Sequence, residues 1–580
     1  MRRLIFLLAV AMMACGRHDT AAPVTYKSYS ALFAPDDDVR RLQLVAEFNK
    51  WDAPSLPATE TFDSSWTYMQ GDPKEGLQAV CKKVEGTRVD LPHRLTLPNT
   101  PMWYSKMIDL HTPGVLTIRA DDGAQLYINN KPLSRLHNNE FPVDTSGRLT
   151  LTIRVLNNAM AGGLRHVSFA TREQYKIFNE QSALHIRRKR LMEKVRLLTV
   201  PVEGVFEKME NAIRQKDEAS LRAAEETLSA YPYFTGPWLQ WNDPQRMTVS
   251  LELDGDLPVE LRLQLKGDRW QEPMIQKGKK VSFVLTNLLP DTAYSYTLTS
   301  GKTQSSVFTF RTPAPDRPFS FNVWADSQSG IDNFRQNVSN LSGYDDAFGV
   351  GAGDIVSNGA TAEEWRMFFN VLGASSAERP YFLVPGNHDY DGYYDDLQPE
   401  RYKHYLPQIP QNYFSWRYGP CAFIALDPNE RFPIDIPSSS RQYQWFREQL
   451  ESEQWKTATW HFVFLHQPPY SQGWAGYQGD ETIRRLLEPV IESSSIDFVV
   501  AGHTHDYERL TKMYGRQQTT FLIVGGAGGS LEPEESSATP QMDTVLKVHH
   551  MGRFYVAGRS LRFEAIDISK KVVDSFLRTK

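Results

Sequence analysis

Three cysteines in 580 residues are too few for a disulfide-built scaffold or a thiolate zinc site. Charge of one sign is also missing: 64 Lys and Arg against 69 Asp and Glu leave a net charge of −5, with the signs interspersed. No long basic run interleaved with aromatics occurs, which argues against a nucleic-acid-binding surface. The densest basic cluster, Arg187-Arg188-Lys189-Arg190, falls inside an amphipathic helical pattern, where a solvated face is expected. Tandem repeats and low-complexity tracts are absent. What remains is an ordinary globular composition, 41% hydrophobic, with length for about four average domains.

The N-terminus reads Met1-Arg2-Arg3, then an apolar run from Leu4 to Ala14, then Cys15-Gly16. This has the form of a secretory signal, too short to span a bilayer as a mature helix. Met12-Met13-Ala14-Cys15 resembles the bacterial lipobox. It implies that residues 1–15 are a lipoprotein signal peptide, that Cys15 becomes the lipidated first residue, and that 16–23 act as a tether. The expected location is then the bacterial cell envelope, with the membrane contacted through the lipid anchor only; the alternative is a soluble secreted protein. Cys81 and Cys421 fall in different predicted domains and are expected as buried thiols.

Residues 24–170 carry a period of two, as where Leu149, Leu151, Ile153 and Val155 alternate with Thr150, Thr152 and Arg154, so half-buried strands are predicted. With the turn-like Asp121-Asp122-Gly123 ahead of Leu126-Tyr127-Ile128, the segment resembles a galactose-binding jelly-roll module. Trp103 and Tyr104 could stack on a sugar, or could be core residues. Residues 171–230 switch to helical spacing and predict a helical connector. Across 236–313, Gly236-Pro237-Trp238-Leu239-Gln240 and the Leu288–Tyr296 stretch resemble a fibronectin type III sandwich with a tyrosine-corner-like turn. Pro313, Pro315 and Pro318 then mark a linker.

Five short β-branched and aromatic runs follow: Phe321–Ala325, Phe348–Ala352, Tyr381–Pro385, His461–Leu465 and Asp497–Ala501. Each is followed by residues of metal-ligand type: Asp326-Ser327-Gln328, Gly353-Asp354, Gly386-Asn387-His388-Asp389, His466 and Gly502-His503-Thr504-His505. Ligands of α/β sheets gather outside the carboxyl ends of strands, so five runs delivering such residues to one edge form a geometric pattern. Two Asp, one Gln, one Asn and three His make a mixed oxygen and nitrogen set suited to Mn, Fe or Zn.

In order, these segments resemble the motifs of the calcineurin-like metallophosphoesterase superfamily, over residues 317–577. The resemblance implies an α/β catalytic domain of two sheets flanked by helices, an αββα sandwich, behind the all-β modules and the connector. It implies two divalent or mixed-valence metal ions bridged by Asp354. Asp326, Gln328 and His505 complete the first site, and Asn387, His466 and His503 the second. His388 stands beside the substrate as proton donor or transition-state stabiliser. Two cations about 3.5–4 Å apart activate a shared water and neutralise charge in an in-line displacement. The motifs offer no Ser or Cys nucleophile with an adjacent base, so direct attack by the bridging hydroxide is expected.

Two positions depart from the family. Most members carry His where this chain has Gln328, an uncharged and weaker ligand. The His466-Gln467-Pro468-Pro469 and Gly502–Arg509 segments look like the purple acid phosphatase branch, yet that branch places a ligand Tyr where Ser357 stands. The expected function is an exported phosphate-ester hydrolase, monoester or diester. The alternative is an impaired phosphoesterase-fold surface protein acting through glycan or partner binding of its β modules. Tyr393, Tyr394, Trp474 and Tyr477 are candidate walls for an organic leaving group.

Overall fold

The computed structural model describes residues 38–74, 84–120, 123–136, 139–157, 161–197, 204–215, 217–232, 234–265, 267–301, 303–314, 317–390, 399–407, 409, 411–536 and 540–580. The signal, tether and Cys15, together with Cys81, Asp121, Asp122, Tyr393 and Tyr394, lie outside the described residues. No described helix is long and apolar enough to cross a membrane.

The N-terminal β unit stacks a four-stranded sheet on a six-stranded one around Tyr104, Leu116, Ile118, Leu126, Ile153 and Phe169. Two expectations fail here. Asp38–Phe48 is a helix, because Leu44 and Phe48 recur at helical spacing and pack against Leu191, Met209 and Leu221 of later helices. The strand Gly147–Leu156 is also buried on both faces along its second half, where Thr152 and Arg154 are covered. Arg154 is tolerated there because Asp72 accepts two of its hydrogen bonds, at 2.8 and 2.5 Å. Trp103 and Tyr104 are fully buried, with the Trp103 indole N–H donating to Asp72 at 2.8 Å, so neither presents a face to a sugar.

Helices Arg172–Leu197, Val205–Arg214 and Glu218–Leu228 follow. The basic cluster is not a solvated face. Arg187 pairs with Glu218 and Glu225, Arg188 is buried and donates to the Ala212 carbonyl, and Arg190 pairs with Glu363 of the later two-sheet domain at 2.6 Å. A six-stranded antiparallel sheet then folds around Val249, Leu261, Phe283 and Tyr296. Its strand Arg246–Leu265 pairs with Phe234–Asp243 and Met274–Leu285 along its first part and with Ala293–Ser300 along its last. The Tyr294 hydroxyl accepts from the Leu289 N–H at 2.9 Å, a tyrosine-corner contact. This unit is docked rather than loosely linked: Trp238 stacks on Phe369 with ring centres 4.3 Å apart, and the Tyr296 hydroxyl donates to the Ala377 carbonyl.

From residue 319 two sheets pack face to face. The first orders its strands Tyr381–Val384, Phe348–Ala352, Phe319–Trp324, His550–Ala557, Ser560–Asp567 and Val572–Thr579; its first three are parallel. The second runs Phe414–Tyr418, Cys421–Ala425, Trp460–Phe464, Phe498–Ala501, Gln517–Val524, Tyr507–Tyr514 and Thr544–Leu546, with a parallel core. Phe321, Phe348 and Phe554 meet Phe423, Phe462 and Phe498 between the sheets. Helices Ile331–Leu341 and Ala362–Glu378 cover one outer face, while Arg441–Glu451 and Glu481–Ile491 cover the other. Strands buried on both faces explain the continuous apolar runs in the sequence. Cys421 is a buried free thiol.

Candidate metal centre

The five sequence segments meet at a seam, three arriving from the first sheet and two from the second. Parallel strands end level with one another, so residues immediately after them share one rim. At that rim Asp326, Asp354 and His503 hold φ of 60°, 51° and 71°, the left-handed region that side chains other than glycine avoid. The turn swings each side chain back over its own strand end. Gly353 permits the approach, having φ of 94° and a position where a Cβ would lie 2.4 Å from the His466 ring. Gly502 does the same on the other sheet, where a Cβ would lie 2.5 Å from Asp326 Oδ2.

Asp326, Asp354, His466 and His503 are buried within 5% exposure. His466 Nε2 stands 3.1 Å from Asp354 Oδ2 and 3.8 Å from Asp326 Oδ1, and His505 Nε2 stands 3.6 Å from Asp326 Oδ1. The ligand atoms of Asp354, His466 and His503 all lie within 4.8 Å of one another. Asp326 Oδ1, His466 Nε2 and His503 Nε2 are buried without hydrogen-bond partners. Such atoms cost about 1–3 kcal/mol each unless something satisfies them, and a cation at their centre does so. The donor set therefore fits a metal.

The other faces of these groups are tied down. Nδ1–H of His466 donates to the Ala352 carbonyl and that of His505 to the Ser530 carbonyl, both at 2.9 Å, which leaves each Nε2 lone pair facing inward. Asp326 Oδ2 accepts from the His503 N–H and Asp354 Oδ1 from the His388 N–H, both at 2.9 Å. Burial pushes the Asp354 carboxyl up, but the charges of His466 and His388 overcome it and hold it below the usual range. His466 is pushed down by burial yet ends at about 9 because Asp354 and Asp326 face it. Burial, reinforced by His466, keeps His503 well below its ordinary value. These three rings and two carboxylates form one electrostatic unit.

The remaining candidates sit differently. Gln328 is buried and turns its amide N–H onto Asp354 Oδ2 at 3.0 Å, so it braces the carboxylate and does not present its carbonyl to the centre. The oxygen of Asn387 accepts from Gln467 Nε2 at 3.3 Å, and the same Gln467 nitrogen donates to Asn429 at 2.7 Å. His388 is the half-exposed member: its Nε2 lies 4.0 Å from Asp354 Oδ2 and its Nδ1–H donates to the Ser357 carbonyl. Ser357 turns its hydroxyl to Ser329. Among the candidate walls, Trp474 and Tyr477 lie edge-on to the His503 ring at 5.4 and 5.5 Å.

Three supporting residues had no distinguishing signal in sequence. Asp389 accepts from the N–H groups of Ile355, Val356 and Gly386 and so locks the Asn387-His388 turn to the Asp354 loop. Glu364 accepts from the N–H groups of Ser357 and Asn358. Gln467 orients Asn387. Asp389 and Gln467 fall inside quoted motifs, where only their places beside His388 and His466 could have found them, and Glu364 falls in none.

Residues 321–507 match the family model of the calcineurin-like phosphoesterases. The chain is 25% identical over 282 residues to a probable purple acid phosphatase 20 of Arabidopsis thaliana, covering 44% of this chain and 62% of that protein. It is 25% identical over 276 residues to the Fe(3+)-Zn(2+) purple acid phosphatase 12 of the same plant, covering 44% and 56%. This chain thus spans roughly six-tenths of the length of these relatives. Among solved structures it resembles purple acid phosphatase PPD1 from yellow lupin, Lupinus luteus, with a TM-score of 0.50 at 15% identity over 83% of this chain and 92% of that one. That second likeness is one of fold.

Proposed function

We propose that this chain, whose residues 321–507 match the calcineurin-like phosphoesterase model, is a metal-dependent hydrolase of phosphate esters working at a dinuclear centre. The observation that carries the reading is the convergence of Asp326 Oδ1, His466 Nε2 and His503 Nε2, buried and unsatisfied, from three strand ends of two sheets. When bound, two cations supply an activated water and neutralise charge on the phosphate oxygens. Asp354 would be shared between the two cations, with Asp326 and His505 holding one and Asn387, His466 and His503 the other. Gln328 joins the first site by turning its amide over; otherwise it orients Asp354.

The chain's own groups account for the rest of the chemistry. His388, anchored through Nδ1, keeps Nε2 toward the open side of the seam, where it can give a proton to a leaving oxygen. Trp474, partly exposed and backed by the buried Tyr477, offers an apolar wall suited to an organic leaving group. The iron and zinc named for one relative are both compatible with an N/O donor set. With no ligand Tyr at Ser357, the iron-phenolate colour of the purple branch is not expected. We further read residues 236–313 as a fibronectin III-like module and 171–230 as a helical connector, and place the protein in the bacterial cell envelope through Cys15. The antiparallel Arg246–Leu265 crossing, the three helices and the lipobox-like N-terminus support those readings.

The test is metal analysis of the purified chain with hydrolysis of p-nitrophenyl phosphate and bis(p-nitrophenyl) phosphate under Mn, Fe and Zn. Two metals per chain and turnover of at least one ester are expected, both lost in Asp354→Ala. Wild-type-like turnover in that variant sinks the site.

A further inference from the structure

Away from the seam, a cavity of about 460 Å³ opens where the helical segment, the middle β unit and the catalytic domain meet. Leu191 and Leu228 from the helices, Leu253 and Leu257 from the β unit, and Met367 and Val371 from Ala362–Glu378 make its walls apolar. None of the candidate metal ligands lines it. The size lies in the range of small-molecule sites, which are concave, mostly apolar and carry a few polar groups that choose the ligand.

The charges around it are unequal, with seven cationic side chains against four anionic. Three pairs cancel across the cavity: Arg187 with Glu225, Arg190 with Glu363 and Lys194 with Asp254. Two more cations are engaged outside the lining, Arg366 by Glu252 and Arg335 by Asp332. Lys189 and Lys279 remain, one on the helix and one on the β strand, both exposed and without an ion-pair partner among the described residues. Glu193 is the remaining lining anion. Two ammonium groups above an apolar floor are complementary to an anionic head carrying an apolar body. Exposed ammonium groups are screened, so they select the sign of the head while the apolar contact supplies the affinity.

We infer that this three-way junction is a binding site for a small organic anion with an apolar tail, of the fatty-acid kind, separate from the metal centre. Titration calorimetry of the full chain with decanoate tests it. One decanoate per chain is expected, bound at least about tenfold more tightly than decanol, because decanol offers the tail without the charge. Lys189→Glu combined with Lys279→Glu should weaken decanoate about tenfold or more. Leu257→Asp, at a partly exposed position and with folding checked by an unchanged melting transition, should abolish it. Saturating inorganic phosphate should leave the affinity unchanged, since phosphate belongs at the seam. Absence of saturable binding, equal binding of decanol, an unchanged affinity in the double variant, or displacement by phosphate would each overturn the assignment.

Discussion

His388 differs from the other imidazoles of the seam in that its side chain keeps 26% of its surface exposed. The proton-donor role proposed for it predicts that His388→Asn lowers kcat for p-nitrophenyl phosphate by about 10²–10⁴, with metal content unchanged in elemental analysis. A fall in metal content would make it a ligand instead. Asp427 is a residue of another kind. It is fully buried, burial and then Glu430 push its carboxyl up to about 7, and the Tyr390 hydroxyl donates to it at 2.6 Å. Between pH 4 and 7 the native chain therefore keeps a proton that the unfolded chain has released. This carboxyl favours the fold below about pH 4, and the advantage is lost as pH rises towards 7, by up to about 1.4 kcal/mol per pH unit. Asp427→Asn removes that slope, so its unfolding free energy in urea should gain on wild type as pH rises from 4 to 7; parallel curves would refute it. Asp326, Asp354, His466, His503 and His505 are legible in sequence because side-chain type and place after a strand both mark them. Gln328 is less legible, because an amide either donates or accepts: here its N–H goes to the Asp354 oxygen, and turning the amide over would offer its carbonyl instead.

At the scale of elements, the loop bearing Trp474 is clipped to the 532–536 loop, where Gly476 N–H donates to the Ser536 hydroxyl and Ser536 N–H to the Gln472 carbonyl, both at 2.7 Å. On its other side Gly476 meets Thr96 of the N-terminal β unit. A wall held at both ends is preorganised for contact. Trp474→Ala should accordingly raise KM for bis(p-nitrophenyl) phosphate about tenfold, since one aromatic contact contributes about 1–1.5 kcal/mol, with kcat and glycerol-phosphate kinetics changed far less. The five strands before the seam were legible to within two residues, because fully buried strands print as unbroken apolar runs. The helix Asp38–Phe48 was not. It depends on a partner, the Met209 and Leu221 surface, that lies more than a hundred residues downstream. Likewise the burial of Arg154 depends on Asp72, which no local periodicity contains.

The whole molecule is held together by charged contacts between units. Glu252 of the middle β unit accepts from Arg366 at 2.8 Å and from the Tyr405 hydroxyl at 2.7 Å, both of the catalytic domain. Glu252→Gln leaves Arg366 without its main partner and should cost about 3 kcal/mol. Calorimetry should then show the β unit melting apart from the catalytic domain, whereas a single unshifted transition would mean that the aromatic contact of Trp238 with Phe369 suffices. The N-terminal unit is similarly clamped, Asn99 exchanging two hydrogen bonds with the backbone of Ile434. Such contacts between distant residues carry no local signature, which is why the docking of the units could not be read from sequence. The strand Phe319–Trp324, which delivers Asp326, takes hydrogen bonds from Phe348–Ala352 on one side and from His550–Ala557 on the other. During synthesis the ribosome finishes that second neighbour long after the first. Until it emerges, the strand that carries Asp326 has an open edge, so the rim of candidate ligands cannot assemble before the later half of the domain has joined its sheet.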